Sequence, residues 1–97
     1  MPLTFSDGQA RYNPYTDVVT FFAMDGEVMV MCNVSRESLE YLEHASLVKD
    51  REILAAFAKH YGEIQLCATQ QHRAQHRRVA CALSKVHFIE HMGIDDA

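Results

Sequence analysis

The alternation of apolar and polar positions in residues 17–34, DVVTFFAMDGEVMVMCNV, predicts a β-hairpin. Two apolar runs flank Asp25-Gly26, a dipeptide typical of a two-residue type I′ turn because both central residues take a positive φ. Side chains alternate between the two faces of a sheet, so this turn makes one face of the hairpin apolar throughout. The predicted cross-strand pairs are Met24–Glu27, Ala23–Val28, Phe21–Val30 and Val19–Cys32.

The other face of the hairpin is more apolar than the solvent-facing side of an antiparallel sheet usually is. We name as the methionine face its four large apolar residues: Phe22, Met24, Met29 and Met31. A contiguous exposed apolar patch commonly marks an interaction site, and methionine packs adaptably at such surfaces. The alternative is that this face is buried within one chain, by Leu3, Phe5, the tyrosines or the C-terminal segment. Tyr12 and Tyr15 are expected to cover the core.

Helical periodicity begins directly after the hairpin. Ser35 can accept hydrogen bonds from the first free N–H groups of a helix, which predicts a helix over residues 36–45. A second, longer helix is predicted from Asp50 to residues 70–74, because apolar residues recur there at helical spacing. Its apolar stripe includes Ile53, Phe57, Tyr61 and Ile64.

Residues 78–83, RVACAL, read as a last strand, and Ser84 can begin a final short helix. The predicted fold class is therefore α+β: a small antiparallel sheet built on the hairpin and packed on one face by two helices. The predicted core is Val19, Phe21, Val28, Val30, Cys32, Leu39, Leu42, Ile53, Phe57, Tyr61, Ile64 and Leu83.

Composition indicates one globular domain. The 97 residues are 48% hydrophobic and 23% charged, with a net charge of −4. We expect a single domain over residues 1–97, with residues 92–97 a frayed tail. The acidic balance argues against nucleic-acid binding. The start of the chain has no signal-peptide pattern and no apolar run is long enough to span a bilayer, so we expect a cytoplasmic protein without membrane contact.

Two groups of histidines are candidate metal ligands. His87, Glu90 and His91 form an H-x-x-E-H pattern, which on a helix places both histidines on one side. A zinc site needs a third protein ligand, and only Asp95 or Asp96 lie near enough in sequence to supply it locally. The second group, His72 and His76, stands in a basic run with Arg73, Arg77 and Arg78, which favours a solvated basic surface.

The cysteines point to buried thiols. Cys32, Cys67 and Cys81 are an odd number, lack metal-site spacing and sit among apolar or small neighbours. The chain has no P-loop, no GxGxxG and no GxSxG motif. We therefore predict no catalytic residue, no cofactor and no enzymatic activity.

Several short motifs follow one another in a characteristic order. The chain starts with Leu3-Thr4-Phe5, continues with a V-x-F-x-A strand over residues 19–23 and then a C-x-V-S-x-E-x-L run that begins at Cys32, with one extra residue allowed. A long helix that begins near residues 55–57, a basic segment and the L-S-x-x-x-F signature of residues 83–88 follow. Over residues 3–88 this order resembles the DUF1488 family of small bacterial proteins of unknown function. The resemblance implies a compact α+β domain in the bacterial cytoplasm and transfers no catalytic residue.

Two functions remain open. The first is a non-enzymatic protein-interaction or regulatory module, a homodimer or a protein partner docked through the methionine face. The second is a protein that binds a metal ion or small ligand through its C-terminal histidines.

Overall fold

The computed structural model describes residues 3–5, 10–74 and 80–92. The strands are β1 (Thr4–Phe5), β2 (Arg11–Asn13), β3 (Val18–Asp25), β4 (Val28–Ser35) and β5 (Ala80–Leu83). The helices are α1 (Arg36–Glu43), α2 (Asp50–Lys59), α3 (Tyr61–Ala74) and α4 (Lys85–Met92). This arrangement confirms the α+β class. Residues 93–97, where most of the frayed tail was expected, lie outside the described residues.

The sheet is mixed rather than wholly antiparallel. β3 pairs antiparallel with β1 and β2 along one edge and with β4 along the other. β5 then pairs with β4 in the parallel direction. The chain reaches β5 only after α1, α2 and α3, and a long crossover through helices permits the parallel pairing that a tight turn would forbid.

The hairpin turn lies one residue later than predicted. Asp25 pairs with Val28, so Gly26 and Glu27 form the turn. Gly26 has a φ of +65°, and glycine at the first central position is typical of a type II′ turn. Each residue on β3 therefore meets a partner two positions beyond the predicted one, which leaves both faces of the hairpin unchanged. Val28, predicted to be in the core, is instead half exposed beside the turn.

The first helix confirms its predicted start. The Ser35 hydroxyl accepts a hydrogen bond from the backbone N–H of Ser38 at 3.1 Å. The helix ends at Glu43, because His44 adopts a left-handed φ of 58°.

The long helix predicted from Asp50 is two helices, α2 and α3, that break at His60. A straight helix over residues 50–74 would extend about 38 Å. The eight-residue strands beneath it extend only about 27 Å. The break, where His60 leaves helical geometry with a ψ of 18°, lets both halves keep their apolar sides on the sheet.

The core lies between the inner face of the sheet and the helices. An aromatic cluster of Phe5, Phe21, Phe57 and Tyr61 joins β1 and β3 to α2 and α3, with ring centroids 5.0–6.2 Å apart. Apart from Val28, the predicted core residues are buried, Tyr61 only partly. Residues that the prediction omitted also belong to this core, among them Leu3, Ala23, Leu47 and Phe88.

Candidate functional site

The methionine face lies on the side of the sheet opposite the core. Met24 pairs with Met29, and Phe22 pairs with Met31, so the four side chains form two adjacent cross-strand pairs. Phe22 is 36% exposed, Met31 42% and Met29 59%. These residues form one contiguous apolar surface at the centre of the sheet.

The segments that could have covered this face lie elsewhere. Leu3 is buried in the core, and the Phe5 ring packs against Phe21 on the inner face. Tyr12 packs against the core and donates its hydroxyl hydrogen to Asp17. α4 packs against α1 and α3 within the helical layer. Leu3, Phe5, Tyr12 and α4 therefore leave the methionine face uncovered, whereas residues 93–97 of the C-terminal segment lie outside the described residues.

The surroundings of the methionine face carry little charge. The neighbouring positions on this side of the strands include Thr4, Thr20, Asn33, Ala80 and Ala82. Thr20 and Asn33 satisfy each other through a 2.6 Å hydrogen bond between their side chains. Of the described strand residues on this side, Arg11 alone is charged. A surface that packs against the centre of the methionine face therefore does not have to neutralise a charge there.

An open hollow of about 980 Å³ continues the methionine face toward β2. Phe22 and Met29 line one side, and Arg11 and Tyr15 belong to the other. Tyr15 is 96% exposed, so the expectation that it covers the core is wrong. Residues 14–16 follow the short β2 strand and are exposed, and no apolar periodicity surrounds Tyr15 that could have indicated its position.

A cluster of Tyr12, Asp17 and Arg36 stabilises the turn between β2 and β3, in which Tyr15 lies. Asp17 Oδ1 accepts hydrogen bonds from the Tyr12 hydroxyl at 2.5 Å and from Arg36 Nε at 2.8 Å. The Arg36 bond, with that from Tyr12, lowers the pKa of the Asp17 carboxyl, and the same carboxylate raises the pKa of Tyr12. Asp17 also has a φ of 59°, and its N–H donates to the carbonyl of Asn13. The cluster thus ties one wall of the hollow to the start of α1.

The histidine motif near the C-terminus is only partly described. His87 Nδ1 accepts a hydrogen bond from the Ser84 N–H at 3.1 Å, which occupies that nitrogen at the start of α4. The side chains of Glu90 and His91 lie outside the described residues. Within the described ranges, no three potential ligands come together for a metal ion. Metal binding by His87, Glu90 and His91 stays a prediction.

The predicted basic surface is wrong at His72. Its side chain is buried, with Nε2 3.9 Å from a carboxylate oxygen of Asp25. His72 continues the stripe of Ile64 and Ala68 along α3, so helical period outweighed the charged neighbours. Arg73 is exposed, whereas His76 and the two following arginines lie outside the described residues.

The three cysteines are buried and free, as predicted. Burial raises the pKa of the Cys67 thiol to about 12. Cys32 and Cys81 are directly paired on β4 and β5.

Known proteins of one family share the sequence pattern and the fold of this chain. The family model described as "Protein of unknown function (DUF1488)" matches residues 3–84. The chain belongs to the DUF1488 family. The crystal structure of a DUF1488 protein of unknown function from Shewanella loihica PV-4 is similar, with a TM-score of 0.74 and 16% identity over 84% of this chain and 90% of that chain. No curated protein matches the chain.

The DUF1488 match agrees with the resemblance drawn from the short motifs, which extended to residue 88. In the described parts of the chain, no helix has the length and apolar character needed to cross a membrane.

Proposed function

We propose that this DUF1488 protein is a non-enzymatic interaction module that forms a homodimer through its methionine face. The observation that carries the proposal is the uncovered pair of apolar cross-strand contacts, Met24–Met29 and Phe22–Met31, at the centre of the sheet. Removing such a patch from water is favourable by roughly 25 cal/mol per Å² of apolar surface. The described helices occupy the other face, and burial of the methionine face against a second molecule would supply this free energy.

Charge placement favours a second copy as the occupant. Arg11, paired with Thr20, stands at one end of the face, and exposed Glu27 stands at the hairpin tip at the other end. Because Glu27 lies opposite Gly26, six positions beyond Thr20, the two are about 20 Å apart along the strand direction. A two-fold axis in the plane of the interface and perpendicular to the strands would bring Arg11 of each copy near Glu27 of the other. A net charge of −4 per copy also favours contact through a face without carboxylates at its centre.

The size of the face predicts a weak dimer. β3 and β4 each extend about 27 Å, β5 about 14 Å and β1 with β2 together about 17 Å, which at a strand spacing of about 4.8 Å makes a flat area of roughly 400 Å². Stable interfaces usually bury about 800 Å² on each partner. We therefore expect dissociation in the micromolar range rather than an obligate dimer.

The first test replaces Met29 and Met31 together by glutamate and measures mass by sedimentation over a range of concentrations. We expect the unchanged protein to dimerise and the double variant to stay monomeric with its fold intact. Leu66→Glu is the matched control, because Leu66 on α3 is 59% exposed, as Met29 is. A monomer at millimolar concentration, or a dimer that the double variant leaves intact, would contradict the proposal.

The second test checks the orientation of the two copies. Arg11→Glu and Glu27→Arg should each weaken the dimer by roughly ten- to thirtyfold, because two exposed ion pairs become repulsive contacts. Combining the two substitutions restores both pairs and should return the dissociation constant to within about threefold of its original value. If the combined variant is weaker than either single one, this two-fold arrangement is wrong.

A further inference from the structure

Two buried thiols face each other across the edge of the sheet. Cys32 on β4 and Cys81 on β5 are direct partners in the parallel register, and both side chains point into the core. Neighbouring strands lie about 4.8 Å apart, and disulfides join residues whose Cα atoms are about 4.4–6.8 Å apart. The spacing of the Cα atoms therefore lies within the range of a disulfide, and a small shift of β5 closes the remaining gap between the side chains.

The hydrogen bond between these thiols makes them unequal. The bond from Cys32 lowers the pKa of Cys81, while the same bond and then burial raise the pKa of Cys32. The neutral Cys81 thiol also donates a hydrogen bond to the carbonyl oxygen of Ala68 on α3, with a distance of 3.8 Å. Cys81 lies on the edge strand β5 and Cys32 on the inner strand β4, so local opening exposes Cys81 first. Because the thiolate is the reactive form, the exposed Cys81 is the attacking sulfur and Cys32 the sulfur that completes the bond.

Access to Cys81 requires only local opening. β5 is a four-residue strand at the end of the strand order, and among the described strands it pairs with β4 alone. Separating an edge strand breaks one ladder of hydrogen bonds, whereas separating a central strand breaks two. Such local openings occur well below the free energy of global unfolding.

We propose that Cys32 and Cys81 are a redox pair that a hydroperoxide converts reversibly into an intramolecular disulfide. The Cys81 thiolate attacks the peroxide O–O bond, giving a sulfenic acid on Cys81 and releasing hydroxide or alkoxide. The Cys32 sulfur then displaces the hydroxyl group, and the S–S bond forms as water leaves. In total, the two thiols lose two electrons and two protons. Hydrogen peroxide is reduced to two molecules of water, and an organic hydroperoxide is reduced to one water and one alcohol.

Reversibility follows from the strand geometry. Directly paired Cβ atoms on parallel strands start near the strand spacing of about 4.8 Å, whereas a disulfide prefers about 3.8 Å. β5 must shift toward β4 to close the bond, and bonds formed under such constraint are the readily reduced ones. Such a bond suits a transient redox response better than a permanent cross-link.

The test treats the intact protein with hydrogen peroxide and maps its tryptic peptides without reduction. Trypsin separates the three thiols, because Cys32 falls in residues 12–36, Cys67 in residues 60–73 and Cys81 in residues 79–85. We expect a mass loss of about 2 Da per chain, a linked peptide joining residues 12–36 to residues 79–85, and recovery of three thiols with dithiothreitol.

Matched variants separate the pair from the third thiol. Cys67→Ala should leave the mass loss unchanged, whereas Cys32→Ala and Cys81→Ala should abolish it. Cys67 is a suitable control because it is as fully buried as Cys32. A link through Cys67, a bond between two chains, or three free thiols under conditions that oxidise the urea-unfolded protein would overturn the proposal. The peptide map of the unchanged protein decides the matter even if an alanine variant fails to fold.

Discussion

Replacing Asp17 separates two roles that this residue combines. Its carboxylate accepts hydrogen bonds from Tyr12 and Arg36, and its backbone holds a left-handed φ of 59°. The Arg36 guanidinium also donates to the carbonyl of Leu47 and to Glu40, so the carboxylate anchors a wider contact between the β2–β3 turn and α1. Asp17→Asn removes the charge and keeps a residue that tolerates this φ, whereas Asp17→Ala removes both.

The magnitudes follow from exposure and backbone geometry. The Asp17 side chain is 46% exposed and that of Arg36 is 36% exposed, so solvent screens the ion pair. We therefore assign about 1 kcal/mol to the charge, at the upper end for exposed pairs. Alanine in the left-handed region adds about 1 kcal/mol more. Asp17→Asn should lower the free energy of unfolding by about 1 kcal/mol and Asp17→Ala by about 2 kcal/mol.

The Asp17 carboxylate also makes the stability of the protein depend on pH. Arg36 and Tyr12 lower the folded-state pKa of Asp17 below the ordinary value of 3.8. The stability that this carboxylate contributes is therefore fully present above pH 3.8 and is lost as the pH falls through the lower folded-state pKa. The difference in unfolding free energy between the unchanged protein and Asp17→Asn should shrink across that acid range.

Urea unfolding followed by circular dichroism measures these differences, at pH 7 and at steps below pH 4. All variants are compared at one protein concentration, because dimerisation would contribute to the apparent stability. Combining Asp17→Asn with Arg36→Gln in a double-mutant cycle should give a coupling of about 1 kcal/mol. Equal stability of the Asn and Ala variants would refute the backbone argument, and a gap that persists unchanged in acid would refute the electrostatic one.

Three further substitutions test local geometry by urea unfolding. Gly26→Ala should destabilise the protein by about 1 kcal/mol, because its φ of +65° disfavours a side chain even though no atom obstructs it. The same change at Gly62 should stabilise it by roughly 0.5 kcal/mol, because Gly62 lies in α3 with open space around it; equal signs at the two glycines would contradict both expectations. Ser35→Ala should cost about 1 kcal/mol by removing the cap of α1, and an unchanged stability would show that the cap is dispensable.

The sequence predicted the elements best where short-range physics governs them. Ser35 began α1 as expected, because capping depends on residues only three positions apart. The break at His60 was not predictable from the stripe that runs from Ile53 to Ile64, because apolar periodicity continues on both sides of it. The position of the break depends on the length of the sheet beneath the helices, which is a property of the assembled fold. The parallel direction of β5 likewise depends on how three intervening helices pack.

The prediction at His72 was wrong because the charged neighbours and the helical period pointed to different environments. His72 lies on the apolar side of α3, four residues beyond Ala68, yet its charged neighbours suggested a solvated surface. Its Nε2 lies 3.9 Å from a carboxylate oxygen of Asp25 at the end of β3, and the two residues are 47 positions apart in the chain. The charged neighbours of His72 therefore led to a wrong prediction, because its burial depends on packing against residues distant in the chain.

The methionine face was predictable for a reason that also marks the limit of the prediction. Shifting the hairpin turn by one residue moves each cross-strand partner by two positions, and a shift of two preserves the face of every side chain. Phe22 and Met31 would therefore share a face under either turn. Whether that face stays uncovered depends on where Phe5 and α4 pack, and strand alternation carries no information about either. The fold places both on the core side, which turns a pattern of side chains into a surface that a second molecule can bury.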